Sequence, residues 1–260
     1  MCFNKEMTLG FTLMSLAMSI WIYSGKSIWS QMESWRKKRS AACFFYFALM
    51  EGLQYIQYLV IDQCDNPINN FTTILGWIHI SFQPIFSNLA MSAIDRRNLD
   101  RSREETWRAM IKLSFYSSFF LSLRIIIPLI FSADTVSKFF DMCNSEVDSV
   151  CTKSESVRSC SVSGRYHIGW QFYLIKQSYL FPNLAMHFIL MFIIPFAMNL
   201  HFESLLLFFT GPFLCIFFET DDGERSAIWC FFSIMEALIT FGSQLLIILR
   251  GRNPLKSKSQ

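Results

Sequence analysis

Charged residues are scarce in this sequence. Only 17% of the 260 residues are Asp, Glu, Lys or Arg, whereas 52% are hydrophobic. Soluble domains usually carry about 25% charged residues. Too little polar surface is therefore available to cover a water-soluble globule, and we expect a protein whose main partner is the lipid bilayer. The basic residues lie in short loops between apolar runs, so no nucleic-acid-binding face is expected.

The local signatures of several chemistries are also absent from the sequence. It contains no Cys-x-x-Cys, His-x-x-x-His or His-Glu-x-x-His, the usual local patterns of metal sites. It contains no Gly-x-Ser-x-Gly, the motif of many serine hydrolases. The last apolar run has no lysine that could form a retinal Schiff base. No cofactor is indicated, and enzymatic activity is not the favoured interpretation, although it stays open.

Seven apolar runs predict an all-α, polytopic transmembrane bundle of about seven helices, forming one domain over residues 1–250. About 20 apolar residues are needed to span the ~30 Å of hydrocarbon in a bilayer. The predicted spans are residues 7–24, 41–62, 71–95, 109–132, 183–200, 202–219 and 227–249. A cleaved signal peptide is the alternative for the first run. An uncleaved helix is favoured because the positive charge follows the run instead of preceding it.

The distribution of basic residues predicts the orientation of the bundle. The linkers after the first and third runs are basic, and so is the tail, residues 251–260. The loop after the second run has no Lys or Arg, and the loop after the sixth has one. Cytoplasmic loops carry the excess of Lys and Arg. We therefore expect the N-terminus outside, the C-terminus in the cytoplasm, and the long Ser- and Cys-rich loop, residues 133–167, outside.

The clustering of cysteines on the predicted outer side suggests disulfides. Cys64, Cys143, Cys151 and Cys160 all fall there, where an oxidising environment favours pairing. Pairing cannot be read from a sequence alone. We favour Cys64 with Cys160, because this bond would tie the long loop to the turn between the second and third runs. Free thiols remain the alternative.

Three ionisable residues share one depth in the outer half of the predicted bundle. At 1.5 Å per residue, Glu51 lies roughly 16 Å, His79 about 12 Å and Glu236 about 14 Å from the outer ends of their helices. Gln54 lies three residues after Glu51, and Gln83 lies four residues after His79, so each pair shares a helical face. These faces predict an outward-facing polar pocket.

Two further histidines lie near the mouth of that pocket. His167 stands where the long loop returns to the membrane, and His187 lies near the start of the fifth run. We expect both to line the outer mouth, with an ordinary packing role as the alternative.

Four interpretations of the polar pocket are open. It could bind a proton or a small-molecule solute in a transporter, which is the function we favour. The same side chains could simply hold the helices together. A metal-assisted intramembrane hydrolase, with His79 as a ligand, is the enzymatic alternative. A receptor-like protein is the fourth, because Asp95, Arg96 and Arg97 end the third run, although arginines after a helix also follow from orientation. Nothing in the sequence indicates the oligomeric state.

Helix breaks and one buried cation are also expected. Arg124 lies well inside the fourth run, where it would snorkel or pair with an acid such as Asp134. Kinks are expected in four spans. They fall at Pro84, Pro128, Pro195 and Pro212.

Several short strings together resemble an uncharacterised family of small polytopic membrane proteins, a domain of unknown function. The strings are Met1-Cys2, Ile61-Asp62-Gln63-Cys64, Leu75-Gly76, His79-Ile80, Phe82-Gln83-Pro84, Cys160-Ser161-Val162-Ser163-Gly164, His167-Ile168 and Trp170. The resemblance covers about residues 1–245. It implies a multi-pass membrane protein and carries no assigned activity.

Overall fold

Four long helices form the first half of the chain. The computed structural model describes residues 4–26, 29–30, 32–95, 100–131, 133–143, 151, 158–176, 184–218, 228–229, 238–239, 241–242 and 245–246. The helices are α1 (Lys5–Ser24), α2 (Ser34–Leu59), α3 (Pro67–Ile94) and α4 (Arg101–Ile130), with a short α5 (Ala133–Phe139) after them. Each long helix packs against the next one in sequence. The described part of the chain is mostly helical, as the predicted all-α class requires.

Local sequence sets the ends of these helices. The Asn4 side chain accepts a hydrogen bond from the backbone N–H of Met7 at the start of α1, and Gly25 ends that helix with φ of 63°. The Asn66 side chain caps α3 in the same way, and Pro67 occupies its first position. Asparagine caps and a first-turn proline are typical helix starts, whereas glycine readily adopts the left-handed conformation that ends a helix.

The long helices alternate in direction, which defines two ends of the bundle. Ser19 Oγ donates to the Ala41 carbonyl, so α1 and α2 run antiparallel. We name the end that carries the starts of α2 and α4 and the end of α3 the arginine end. The opposite end, where α2 passes into α3, is the hairpin end.

Two broken helical segments follow, in the region of the fifth and sixth predicted runs. The first comprises α6 (Leu184–Phe188), a π turn (Ile189–Ile193) and α7 (Ile194–Ala197). The second comprises α8 (His201–Phe208), a π turn (Phe209–Phe213) and α9 (Leu214–Phe218). The second π turn contains a kink at Gly211, directly before Pro212. Of the last predicted run, four residue pairs are described, and all are helical.

A β-hairpin lies within and just beyond the segment predicted as a long polar loop. Strands β1 (Cys160–Ser163) and β2 (Ile168–Gln171) pair antiparallel, with Cys160 opposite Gln171 and Ser163 opposite Ile168. Neither this hairpin nor α5 was predicted. Strands of four residues are too short to show a clear alternation of apolar and polar side chains.

Two disulfides hold the hairpin end together. Cys64 pairs with Cys160 at a Cα–Cα distance of 5.1 Å, and Cys143 pairs with Cys151 at 5.7 Å. The first bond is the pairing favoured above, and it joins β1 to the turn between α2 and α3. All four candidate cysteines are thus paired.

Pro128 and Arg124 connect α4 to the chain beyond β2. A proline has no N–H, so Pro128 leaves the Arg124 carbonyl without its helical partner. The backbone N–H of Ile175 donates to that carbonyl at 2.9 Å, and Arg124 Nε donates to the Ile175 carbonyl at 3.0 Å. The guanidinium also lies over the Trp77 ring, 5.4 Å from its centre. The helix continues through Pro128, and the carbonyl that this proline leaves without a partner is satisfied by the chain that follows β2.

Two of the described helices are long and apolar enough to cross a membrane. They are Lys5–Ser24 and Arg101–Ile130, and a shorter apolar helix covers Ala185–Ala197. A signal sequence near an N-terminus or the core helix of a soluble protein would have the same length and composition. The apolar content of single helices therefore supports two spans, fewer than the seven that were predicted.

Candidate functional site

The side chain of His167 links the hairpin to α2. Its Nε2 lies 3.2 Å from Gln54 Oε1, and its Nδ1 lies 2.6 Å from the Tyr58 hydroxyl. Because an amide oxygen only accepts hydrogen bonds, Nε2 carries the proton and donates to Gln54. Nδ1 is then an acceptor, and the Tyr58 hydroxyl donates to it. The two partners therefore select one neutral tautomer of the imidazole.

Burial keeps His167 neutral. The residue is only 2% exposed, and this burial lowers its pKa from 6.5 to about 3. Desolvation disfavours the charged imidazolium, which would also lose the hydrogen bond that Nδ1 accepts. At neutral pH the cluster of Gln54, Tyr58 and His167 is therefore an uncharged hydrogen-bonded unit.

Acid should loosen the hairpin through His167. When the hairpin opens and His167 meets water, its pKa returns to about 6.5, so between that pH and about 3 the open form binds a proton that the closed form does not. The stabilising contribution is present above about pH 6.5 and falls by about 1.4 kcal/mol per pH unit below it. We expect the thermal midpoint of wild type to fall more between about pH 7 and pH 4.5 than that of His167→Gln.

An exposed histidine provides the control for this experiment. His201→Gln changes a histidine at the start of α8 that is exposed to solvent. It should retain the acid sensitivity of wild type. Equal acid sensitivity of wild type and His167→Gln would contradict the assignment of that sensitivity to the buried imidazole.

Backbone and side-chain hydrogen bonds fix the hairpin above α2 and α3. Asn69 Nδ2 donates to the Ser161 carbonyl at 2.9 Å, and its Oδ1 accepts from the Ser161 N–H at 2.8 Å. Asp62 accepts from both the N–H and the hydroxyl of Ser163, at 2.7 and 2.5 Å. Thr73 Oγ1 lies 2.7 Å from Ser161 Oγ. These bonds and the Cys64–Cys160 disulfide anchor the hairpin to α2 and α3, and they thereby hold His167 in place.

Gln57 continues the polar contacts below the hairpin. Its Nε2 donates to the Thr72 carbonyl at 2.8 Å, and its Oε1 accepts from Trp170 Nε1 at 3.2 Å. Both side chains pack against α3 at Gly76, where a Cβ would lie at ordinary contact distance, 3.4 Å from Gln57 Nε2 and 3.5 Å from the Trp170 ring. At the hairpin end, the Gln57 amide therefore bonds α2 to the backbone of α3, and the Trp170 indole bonds the same amide from the hairpin.

Glu51 lies on the same face of α2 as this cluster. Gln54 and Tyr58 follow it by three and seven residues, the spacings that align side chains along one helical face. Glu51 is 2% exposed, and its Oε2 has no hydrogen-bond partner among the described residues. A buried polar atom without a partner costs free energy, so this oxygen is an available acceptor for a donor that enters the site.

His79 and Gln83 lie on α3. The His79 ring stacks on Tyr46 with a centroid distance of 3.7 Å, and the Tyr46 hydroxyl donates to the His79 backbone carbonyl. Gln83 is buried one turn further along α3. In the described parts of the chain, no hydrogen bond is seen between either residue and the His167 cluster. His79 is therefore placed at the α2–α3 contact.

His187 and Glu236 complete the set of predicted residues. His187, in α6, is buried with its ring 5.7 Å from that of Trp229, and its Nε2 has no partner among the residues described. Glu236 lies outside the described residues. The structure therefore brings Gln54 and His167 together, with Glu51 on the same helical face, and places His79 and His187 beside other aromatic residues.

A metal site receives no support from the part of the chain that is described. Within those residues, no three His, Cys, Asp or Glu side chains come close enough to hold a metal ion together. His79, the proposed metal ligand, lies against Tyr46.

Sequence reasoning missed a charged network at the arginine end. The buried Asp95 carboxylate accepts from Arg103 Nε at 2.5 Å and from Trp107 Nε1 at 2.9 Å. Arg39 donates to both carboxylate oxygens of Glu104, at 2.6 and 3.1 Å. These pairs join α2, α3 and α4, and no spacing within one helix could reveal them. Arg96 and Arg97 lie outside the described residues.

The comparison with known protein families identifies the family to which the chain belongs. One family profile matches residues 14–251, which include most of α1, both disulfides and the His167 cluster. The chain belongs to DUF5765, a family of unknown function. This agrees with the resemblance to a domain of unknown function noted above, and DUF5765 brings no described activity to the site. No curated protein and no solved structure matches the chain.

Proposed function

We propose that this chain is a multi-pass membrane protein of about seven helices with a solute- or proton-binding site at its hairpin end. The observation that carries the membrane assignment is an inverted pattern of exposure. On α4 the serines Ser114, Ser118 and Ser122 are buried, whereas large apolar side chains such as Phe115 and Phe119 are exposed. A water-soluble helix bundle shows the opposite arrangement.

The same inversion occurs around the rest of the described bundle. On α1, Thr8, Ser15 and Ser19 are buried while Leu13 and Ile20 are about 60% exposed. Exposed large apolar residues continue on later helices. They include Phe45, Leu49, Ile56, Phe71, Tyr116, Phe120, Ile193, Phe196, Leu205, Phe209 and Phe217. An apolar surface of this extent is typical of contact with a membrane, and buried small polar residues are typical of helix contacts within one.

The dimensions of α4 also suit a bilayer. Its exposed apolar residues run from Leu113 to the residue after its end, Phe131, a rise of roughly 27 Å at 1.5 Å per residue. The hydrocarbon layer is about 30 Å thick. Before this stretch come Arg103 and Arg108, at the arginine end. Apart from the buried Arg124, the charged residues of α4 thus precede the apolar surface of the helix.

The orientation follows from the disulfides and the basic residues. Structural disulfides form on the oxidising side of a membrane, and basic loops remain in the cytoplasm. We therefore propose that the hairpin end faces outward and that the arginine end faces the cytoplasm. In this arrangement Glu51 and the His167 cluster lie in the outer part of the bundle.

The binding site centres on the unpartnered oxygen of Glu51. A proton on this carboxyl group, or a hydrogen-bond donor of a small solute, would satisfy an atom that otherwise lacks a partner. Intramembrane carboxyl groups of this kind often lie on proton or substrate pathways. The His167 cluster, on the same face of α2, would then close the site toward the outside. The proposed function is therefore outward-facing binding of a proton or small polar solute, as in a transporter.

Replacing Glu51 with glutamine should remove a titrating carboxyl group without altering the fold. The protein should remain in liposomes after an alkaline wash. Infrared difference spectra between alkaline and acidic buffer should then contain, in wild type, the protonated-carboxyl band of a group shielded from water. This band should be lost in Glu51→Gln.

Glu105→Gln is the matched control for that spectrum. The Glu105 side chain is 61% exposed near the start of α4. Its substitution should leave the band of the buried carboxyl group unchanged. Persistence of this band in Glu51→Gln would refute the proposed site. Release of the protein by the alkaline wash would refute the membrane assignment.

A further inference from the structure

A second polar region runs between α3 and α4, apart from the Glu51 site on α2. Both helices turn small or amide side chains toward the interior of the bundle. The residues are Ser81, Ser87 and Asn88 on α3 and Ser114, Ser118 and Ser122 on α4, all at most 2% exposed. We name these six residues the α3–α4 seam. None of them is ionisable, so any molecule held here must be recognised by neutral hydrogen-bonding groups.

Asn88 connects the two helices at the middle of the seam. Its Nδ2 donates to the Pro84 carbonyl at 2.8 Å, to Ser114 Oγ at 3.1 Å and to the Leu190 carbonyl at 3.0 Å. All donor capacity of the amide is therefore used, and its orientation is fixed. The Oδ1 atom of the same amide is buried and has no partner among the described residues.

The Leu190 carbonyl depends on Asn88 because of a proline. In a π turn a carbonyl bonds the N–H five residues later, and the residue five positions after Leu190 is Pro195, which has no N–H. Asn88 supplies the missing donor. In the same π turn the Phe192 carbonyl accepts from Ser204 Oγ at 2.6 Å. Turns of this kind occur frequently at functional sites.

Two hydroxyls of the seam also lack partners. Ser87 Oγ and Ser118 Oγ are buried without a hydrogen bond in the described structure, as is Asn88 Oδ1. Ser118 lies one turn from Ser114, on the same face of α4, and Ser87 precedes Asn88. Three buried polar atoms within about one helical turn of the Asn88–Ser114 contact are thus unsatisfied. Each costs free energy unless a further group bonds it.

We propose that the α3–α4 seam binds ordered water at the level of Asn88, and that this water forms the middle of a polar path through the bundle. A buried water makes two to four hydrogen bonds and binds where polar atoms would otherwise be unsatisfied. The hydroxyl and amide groups of the seam are uncharged and include both donors and acceptors of hydrogen bonds, so they suit water better than an ion. Polar side chains extend the seam toward both ends, to Arg124 on the hairpin side and to Ser92 and Asp95 on the arginine side.

Cysteine labelling tests whether the seam is reached by water. Ser118→Cys and Ser87→Cys replace hydroxyls that make no hydrogen bond in the described structure, so either change should preserve the fold. The probe is a small, water-soluble cationic methanethiosulfonate, which reacts with the thiolate form. In protein reconstituted in liposomes, both cysteines should react at least about ten times faster than the controls, because thiolates form readily only where water is present.

The controls distinguish a hydrated seam from general accessibility. Phe119→Cys lies on the outward apolar face of α4, and Ala90→Cys lies at a fully buried apolar position of α3. The background replaces the cysteines outside the two disulfides, Cys2, Cys43, Cys215 and Cys230, with alanine.

Each outcome bears on one proposal. Slow reaction of both seam cysteines, at the rates of the controls, would overturn the hydrated seam and leave the Glu51 site standing. Fast reaction of Phe119→Cys would instead contradict the membrane arrangement. Fast reaction confined to the two seam cysteines is the expected result. Because Glu51 is unchanged in all four variants, the seam and the Glu51 site succeed or fail separately.

Discussion

Replacing Asp95 with alanine should lower the thermal unfolding midpoint by roughly 10 °C in detergent. Asp95 is the shared acceptor of Arg103 Nε and Trp107 Nε1, and its side chain is 3% exposed. Removing one partner of a buried ion pair costs about 3–5 kcal/mol, because the other charge stays buried without compensation. For a chain of this size each 1 kcal/mol shifts the midpoint by about 2–4 °C.

The contacts around Asp95 explain why the loss should be large. Arg103 also donates to the Met198 carbonyl in the turn between α7 and α8, so its position affects the second half of the chain. Arg36 donates to the Asp95 backbone carbonyl at 3.1 Å, a contact that alanine would preserve. The expected damage is therefore specific to the carboxylate and its two side-chain donors.

Two further variants separate this effect from surface charge. Arg101 pairs with Glu105 on α4, but its side chain is 93% exposed. Arg101→Ala should cost about 0–1 kcal/mol, as surface ion pairs do. The double variant Asp95→Ala with Arg103→Met should regain part of the loss, because the charge of Arg103 is then removed together with its acceptor. If Asp95→Ala lowered the unfolding midpoint only as little as Arg101→Ala does, water would be solvating the charge of Arg103 in place of the carboxylate.

The helical segments and one cross-link were accessible to sequence reasoning because they depend on short-range or unusually constrained features. Apolar runs bounded by Asn, Gly and Pro indicated helices, and caps such as Asn4 and Asn66 set their starts. The Cys64–Cys160 pair could be favoured because it would tie the long loop to the turn between the second and third runs, on the predicted outer side. Both inferences need only local chemistry or the order of the segments along the chain.

The site was only partly predictable, because it depends on packing between distant segments. The spacing of three residues put Gln54 on the same helical face as Glu51, and His167 was expected near the mouth of the pocket. The hydrogen bond that joins His167 to Gln54 spans 113 residues, and its second partner, Tyr58, was missed. A tyrosine in an apolar run resembles an ordinary core aromatic residue, and only the position of the hairpin shows that its hydroxyl has a partner.

The arginine end illustrates a second limit. The sequence marks Asp95 as the end of a helix followed by basic residues, and that pattern alone indicates orientation. Its partner Arg103 lies on the next helix, α4. The pairing depends on how closely α3 and α4 pack, which in turn depends on the small buried residues of the α3–α4 seam. Charge patterns therefore indicated which end is basic, whereas the ionic contacts needed the structure.

Breaking the Cys64–Cys160 disulfide should be the most damaging change at the hairpin end. In the chain-entropy account, a disulfide restricts the unfolded chain more when it closes a longer loop. The separation is 96 residues for Cys64–Cys160 and 8 for Cys143–Cys151. The expected contributions are about 4.7 kcal/mol for a loop of about 100 residues and about 2.5 kcal/mol for a loop of about 8.

The two disulfides therefore control for each other. The variant with Cys64→Ala and Cys160→Ala should unfold at a lower temperature than the variant with Cys143→Ala and Cys151→Ala. Equal midpoints would show that packing and the Asn69–Ser161 bonds hold the hairpin without help from the longer cross-link.

The first variant should also expose His167, because β1 and β2 are anchored to the α2–α3 turn at Cys64. Histidine acylation by diethyl pyrocarbonate, read out by mass spectrometry, should increase at His167 in this variant and change little in the Cys143–Cys151 variant. Since the His167 imidazole lies against Gln54 and Tyr58, its exposure reports opening of the site itself. If the unfolding midpoint falls but acylation of His167 in the folded protein does not increase, the hairpin stays closed without the disulfide. The disulfide would then stabilise the fold without controlling access to the site.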